Sequence, residues 1–199
     1  MHRNGFLTAL FIALPSLVIA QDKAIESSAA YSHFKQGFTQ LCFLDGDTAA
    51  RDYYPSQSWE LSWQYEHSDE IETATLYKFF CGSGAYNANH VYYLDTEFDG
   101  PQPIGFAMPH FDVIYENDDF DGAVLDIPLT GYESTSVLTN SEFDPETGTI
   151  TSHALWRGIG DAFSSGTWRF IKGSFVLKSF DVDAQYDGKQ RPKRLVNFE

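Results

Sequence analysis

The sequence predicts a mainly β domain, an antiparallel β-sandwich or partly open barrel with one N-terminal helix. Three observations carry that prediction. Trp59, Leu61, Trp63 and Tyr65 alternate with Glu60, Ser62, Gln64 and Glu66, the period-two pattern of a strand with one buried face. Further on, HFDVIY, AVLDIPL, STSVLT, TITSHALW, GTWRFI and SFVLKSFDV are short apolar runs bounded by Gly, Pro, Asp or Asn, the spacing of a sandwich or barrel. Ahead of these, Ala30, Phe34, Phe38 and Cys42 recur at every fourth position and lie on one stripe of a helix.

Residues 1–20 combine a basic start at Arg3, an apolar core from Phe6 to Ile19 broken by Pro15, and small residues Val18 and Ala20 before Gln21. That is the three-part pattern of a secretory signal peptide, too short for a spanning helix. The expectation is export to the periplasm or beyond and no membrane span after cleavage. Residues 21–199 then form a single β-rich domain, a size that supports one sizeable core.

The full chain carries a formal charge of −15. Removing the leader takes one of 13 basic residues and none of 28 acidic ones, so the mature charge is −16. Nucleic acid and anionic lipid are poor partners for such a surface. Lys189, Arg191, Lys193 and Arg194 cluster near the C-terminus as a short solvated tail or edge strand, too few for a nucleic-acid footprint. Cys42 and Cys81 are the only cysteines, and in an oxidising compartment they pair. Closing a loop of about 40 residues stabilises the fold by roughly 3–4 kcal/mol in the chain-entropy model.

The helix is expected from Ser27, as a cap, to Cys42, weakened by Gly37. Asp45-Gly46 and Pro55 mark a loop before the alternating strand. TATLYKFFC reads as its neighbour, GSGAYNAN as a loop and HVYYLDTEF as a further strand closing on Asp99-Gly100. Lys172-Gly173 is a two-residue hairpin turn and Asp144 to Gly148 a longer one, so the topology is mostly antiparallel meander. EFDG at 97–100, DFDG at 119–122 and QYDG at 185–188 each place an aromatic before Asp-Gly. They read as recurrent turns with the aromatic tucked into the core.

Residues 156–168 read WRGIGDAFSSGTW and concentrate two Trp, three Gly, Arg157 and Asp161. Arg157 and Asp161 either pair to fix a glycine-rich bend or present a fork donor and a carboxylate beside an indole. RGIGD followed by SSGTW, with CGSGAYN at 81–87, resembles a domain family of unknown function found in secreted and periplasmic bacterial proteins. Members of that family often carry a Cys after the Asp and another downstream. Here the position is Ala162 and no Cys follows, so a second disulfide is absent.

The ligand-binding candidates are Tyr86 and Asn87 in one loop with Trp156, Arg157, Asp161 and Trp168, aromatics beside polar groups that suit a sugar ring or a peptide. Trp168, inside an apolar strand, also reads as core. Asn117, Asp119, Asp121 and Gly122 match the opening of a calcium loop, but the twelfth position is Pro128, which excludes an EF-hand. A calcium turn of another kind stays open as the one cofactor candidate. The five His after the leader show no zinc spacing, no GxSxG elbow is present, and nothing selects a carboxylate pair.

Three readings follow. The first is an exported binding or interaction module for a cell-envelope glycan or a protein partner. The second is a calcium-stabilised structural domain, and the third a small hydrolase using carboxylates. The sequence selects no catalytic residue, so an enzyme is the weaker class.

Overall fold

The computed structural model describes residues 24–42 and 52–198. The leader at 1–20 and most of the loop after Cys42 lie outside the described residues. Helix α1 spans Ala29–Gly37. Its cap is Ser28, which accepts the Tyr31 amide, rather than Ser27, whose hydroxyl turns back to the Ala24 carbonyl. The helix ends at Gly37, earlier than its apolar stripe. Phe38 and Cys42 stay on that stripe through a further turn closed by Cys42 N–H on the Phe38 carbonyl.

Strands β1 (Gln57–Gln64), β2 (Ile71–Ser83), β3 (Ala88–Thr96) and β4 (Gly100–Pro103) form an antiparallel meander. β4 falls in a segment that reads as a connection. Pro101 and Pro103 cannot donate to a ladder, and at the edge of a sheet they have no need to. Next come β5 (Phe106–Phe111), β6 (Ile114–Tyr115), β7 (Val124–Asp126), β8 (Leu129–Thr135) and β9 (Val137–Thr139). β5 pairs with β8 and β6 with β7 as separate ribbons, while β9 returns to the first sheet beside β3. A second five-stranded meander follows in sequence order: β10 (Glu142–Asp144), β11 (Thr149–Leu155), β12 (Phe163–Ile171), β13 (Ser174–Asp183) and β14 (Lys193–Asn197). The architecture is sandwich-like, and among the described residues no sheet closes into a barrel.

Period two explains how the first sheet carries two cores. Leu76 and Tyr92 point toward the second sheet and join Phe143, Ile150, Trp168, Phe175, Leu177, Phe180 and Val182. Phe79, Cys81, Val91 and Tyr93 point the other way, against Ala30, Phe34 and Phe38 of α1. The Cys42–Cys81 disulfide ties the end of the helical segment to that outer face. Trp59 meets Phe143 and Trp63 meets Phe170 edge-on, so the apolar positions of β1 extend the inner core as their alternation predicts.

Trp168 is fully buried and donates its indole N–H to the Ala107 carbonyl at 2.9 Å. Its ring occupies the space above Gly166, where an added Cβ would lie 2.3 Å from the indole. That glycine serves close packing. The basic C-terminal cluster ends in β14, an edge strand, with Lys193 paired to Asp126 and Arg194 to Asp181.

Candidate functional site

The loop from Trp156 to Ala162 joins β11 to β12. It is closed at its base by Trp156 N–H on the Ala162 carbonyl, and inside by Gly160 N–H on the Arg157 carbonyl. Asp161 is buried. Its carboxylate accepts two guanidinium donors from Arg157, the Ala162 amide at 3.1 Å and the Gly188 amide at 2.7 Å. A carboxylate this well supplied with donors stays ionised. The Arg157 hydrogen bonds, ahead of the backbone amides, hold it far below the ordinary carboxylate range. Gln190 adds a bond to the Gly160 carbonyl at 2.7 Å, so the segment after β13 latches onto the loop at two points.

Asn87 pairs with Leu155 in the manner of a strand residue, donating from its amide to the carbonyl at 2.8 Å and accepting the Leu155 amide at 3.1 Å. Asn140 donates to Asn87 and to the His153 carbonyl. Both Asn side chains therefore fasten the β2–β3 turn to the end of β11. Tyr86 donates its hydroxyl to the Trp156 carbonyl at 3.1 Å and lays its ring beside Gly158. Trp156 is half-buried and stacks parallel on Phe111.

Tyr86, Asn87, Trp156, Arg157 and Asp161 thus converge. Trp168 does not join them: it is wholly inside the sandwich and lines no groove. Of the five that converge, Asn87 and Asp161 spend their polar atoms on the fold, whereas Tyr86 and Arg157 keep an open side.

That open side continues onto residues the sequence reading assigns elsewhere. The Arg157 guanidinium lies 5.0 Å from the centre of the Tyr186 ring, and Phe120 packs on Tyr186 at 4.4 Å between centroids. Phe120 is 55% exposed and Ile159 70%. The aromatic-Asp-Gly turns at 119–122 and 185–188 were the signal for this surface, but their aromatics are not tucked into the core. Phe120 and Tyr186 instead pack on each other across two loops, and Phe98 of the third turn is almost fully exposed. Glu116, Asp118, Asp119 and Asp121 flank Phe120 along the chain as exposed acids.

Asn117, Asp119 and Asp121 sit in that same loop, all exposed. The exposed Asp119 carboxylate accepts the Asp121 amide, an Asx turn of the kind that stabilises a bend without any ion. Among the described residues no group of three or more His, Cys, Asp or Glu is arranged to hold a metal ion. No described helix is long and apolar enough to cross a membrane.

A family model described as "protein of unknown function (DUF1176)" matches residues 66–191. The match takes in the 81–87 and 156–168 stretches and both ribbons, and leaves out α1, β1 and β14. No curated protein and no solved structure matches the chain.

Proposed function

The chain belongs to the DUF1176 family, and we propose that it is an exported interaction module whose surface at Tyr86, Phe120, Arg157, Ile159 and Tyr186 docks a protein with a basic rim. The observation that carries this reading is the gathering of large exposed and half-exposed side chains on loops that Asp161, Asn87 and Gln185 fasten to one another and to the sandwich. Exposed apolar clusters rimmed by polar groups are characteristic of interaction sites. Tyr, Phe and Arg are the types enriched at the energetic centre of interfaces. The acids around Phe120 and the formal charge of −15 favour a basic partner and speed its encounter at low salt. The leader pattern at 1–20 and the Cys42–Cys81 bond support export, since disulfides persist in oxidising compartments.

The test immobilises the disulfide-intact domain and challenges it with an envelope extract and, separately, with purified peptidoglycan. A protein retained by wild type, released by salt and lost by Phe120→Ser/Ile159→Ser supports the reading. Retention of peptidoglycan through the same residues assigns the surface to a glycan instead. Equal retention by wild type and the double variant on both arms sinks the proposal.

A further inference from the structure

One end of the sandwich opens into a cavity of about 200 Å³ between the sheets, lined by Tyr53, Tyr54, Gln57, Lys78, His90 and Glu142. It shares no residue with the Tyr86 surface. Lys78 and His90 project from β2 and β3 on the inner face, and both are buried. Charged residues are almost never placed so deeply without a partner. Lys78 meets Glu142 of β10 at 3.0 Å, where the carboxylate is mostly exposed at the cavity mouth.

His90 is fixed by a chain of hydrogen bonds. Tyr92 donates to the Ser141 hydroxyl at 3.1 Å, and that hydroxyl lies 3.0 Å from His90 Nδ1. With one lone pair of its oxygen taken by Tyr92, Ser141 keeps its own proton to donate to Nδ1, an arrangement that carries the imidazole proton on Nε2. Nε2–H has no hydrogen-bond partner among the described residues, and the ring lines the cavity. Lys78 spends one of three donors on Glu142, and Gln57 brings an amide. Tyr54 stacks on Phe80 and meets His90 edge-on, forming an aromatic wall with Tyr53.

We infer that this cavity is a binding site for a neutral, hydroxyl-rich ligand of the size of one sugar ring. Lys78 and Glu142 cancel in charge, and burial keeps His90 neutral, so neither an anion nor a cation is favoured. What remains is a set of donors from Lys78, His90 and Gln57 facing the Glu142 carboxyl group as acceptor, which matches vicinal hydroxyls. Adjacent rings supply the apolar face that sugar C–H bonds need. The space equals about seven waters and lies below the ~300 Å³ of drug-sized pockets, so it takes one ring, either as free monosaccharide or as the end of a glycan chain.

The test is titration of the disulfide-intact domain with neutral hexoses and N-acetylhexosamines, with peptidoglycan fragments, and with acetate and phosphate as ionic controls, read by ligand-detected NMR. Saturable binding of a neutral sugar is expected, weakened at least tenfold in Lys78→Met and His90→Gln. Because Lys78→Met removes a buried charge and can impair folding, Gln57→Ala and Tyr53→Ala, both outside the buried core, give a second measure and are expected to weaken binding severalfold. Binding of the free sugar points to a monosaccharide ligand, and binding of fragments alone points to a chain end. No binding of any neutral probe at millimolar concentration, a preference for acetate or phosphate, or binding indifferent to Gln57→Ala and Tyr53→Ala overturns the inference.

Discussion

Arg157 grips the buried carboxylate of Asp161 with two guanidinium donors while the same guanidinium lies over the Tyr186 ring. One side chain thereby serves the fold on one edge and the surface on the other. Of the two alternatives that the sequence leaves open for this pair, the structure shows the fixed bend: Asp161 is buried with its carboxylate spent on the fold, and the ring beside Arg157 is Tyr186 rather than an indole.

Arg157→Ala is expected to lower the melting temperature by roughly 5–10 °C, because it leaves a buried carboxylate with only backbone donors. Arg157→Lys is expected to recover only part of the loss, since an ammonium cannot reproduce the two-pronged contact. Thermal melts of both variants check this. A melting temperature within 2 °C of wild type for Arg157→Ala makes the pair dispensable to the fold.

Gly166→Ala is expected to cost at least about 3 kcal/mol or to abolish folding, because the new methyl would overlap the Trp168 indole and press on Phe180 in a core with no slack. The double variant Gly166→Ala/Trp168→Phe is expected to lose less than the sum of its parts, since the smaller ring makes room for the methyl. Additive losses in urea titrations contradict the close-packing role.

Reduction of Cys42–Cys81, or Cys42→Ala/Cys81→Ala, is expected to remove roughly 3–4 kcal/mol for a separation of 39 residues. The loss is read as a fall in the urea midpoint. A midpoint unchanged by reductant shows that the α1 packing onto Phe79 and Tyr93 holds the segment without the bond.

How much of this was legible in the residues depends on distance along the chain. The alternation at Trp59–Tyr65, the four-residue stripe of α1 and the Lys172-Gly173 turn are local patterns, and the structure follows them. The return of β9 to β3 leaves no such mark, since Val137–Thr139 reads like any short strand and its partner is chosen by the core that Leu138 enters. Prolines hid β4, because a central strand excludes them and an edge strand does not. In the 156–162 loop, the cluster of Gly, Arg and Asp marks a bend that Arg157 and Asp161 do fix, but Gly188, Gln190 and Tyr186 reach it from some 30 residues away. Lys78, His90 and Ser141 were invisible for the same reason: each sits in an ordinary strand or turn, and only the sheet register brings them together.

His90 gives the stability of the protein a defined pH dependence. Its ring is buried among Lys78, Ser141, Tyr92, Tyr54 and Phe80. Burial, followed by the charge on Lys78, pushes its pKa down from the ordinary 6.5 to about 3. The unfolded chain therefore takes up a proton below pH 6.5 that the folded chain refuses until near pH 3. Stability from this group is fully present above pH 6.5 and is lost as the pH falls toward 3, at a slope approaching 1.4 kcal/mol per pH unit, roughly. Between pH 7 and pH 5 the loss is about 2 kcal/mol. His153, which burial also lowers, adds in the same direction, whereas the depressed carboxyl of Asp161 acts only at lower pH. Urea midpoints at pH 7 and pH 5 separate these contributions: His90→Gln, whose amide can still meet Ser141, is expected to shrink the difference by about 2 kcal/mol and leave the His153 share in place. A pH 7 to pH 5 difference equal to that of wild type means that His90 is protonated without opening the fold, and that its Nε2 already has water enough to carry the charge.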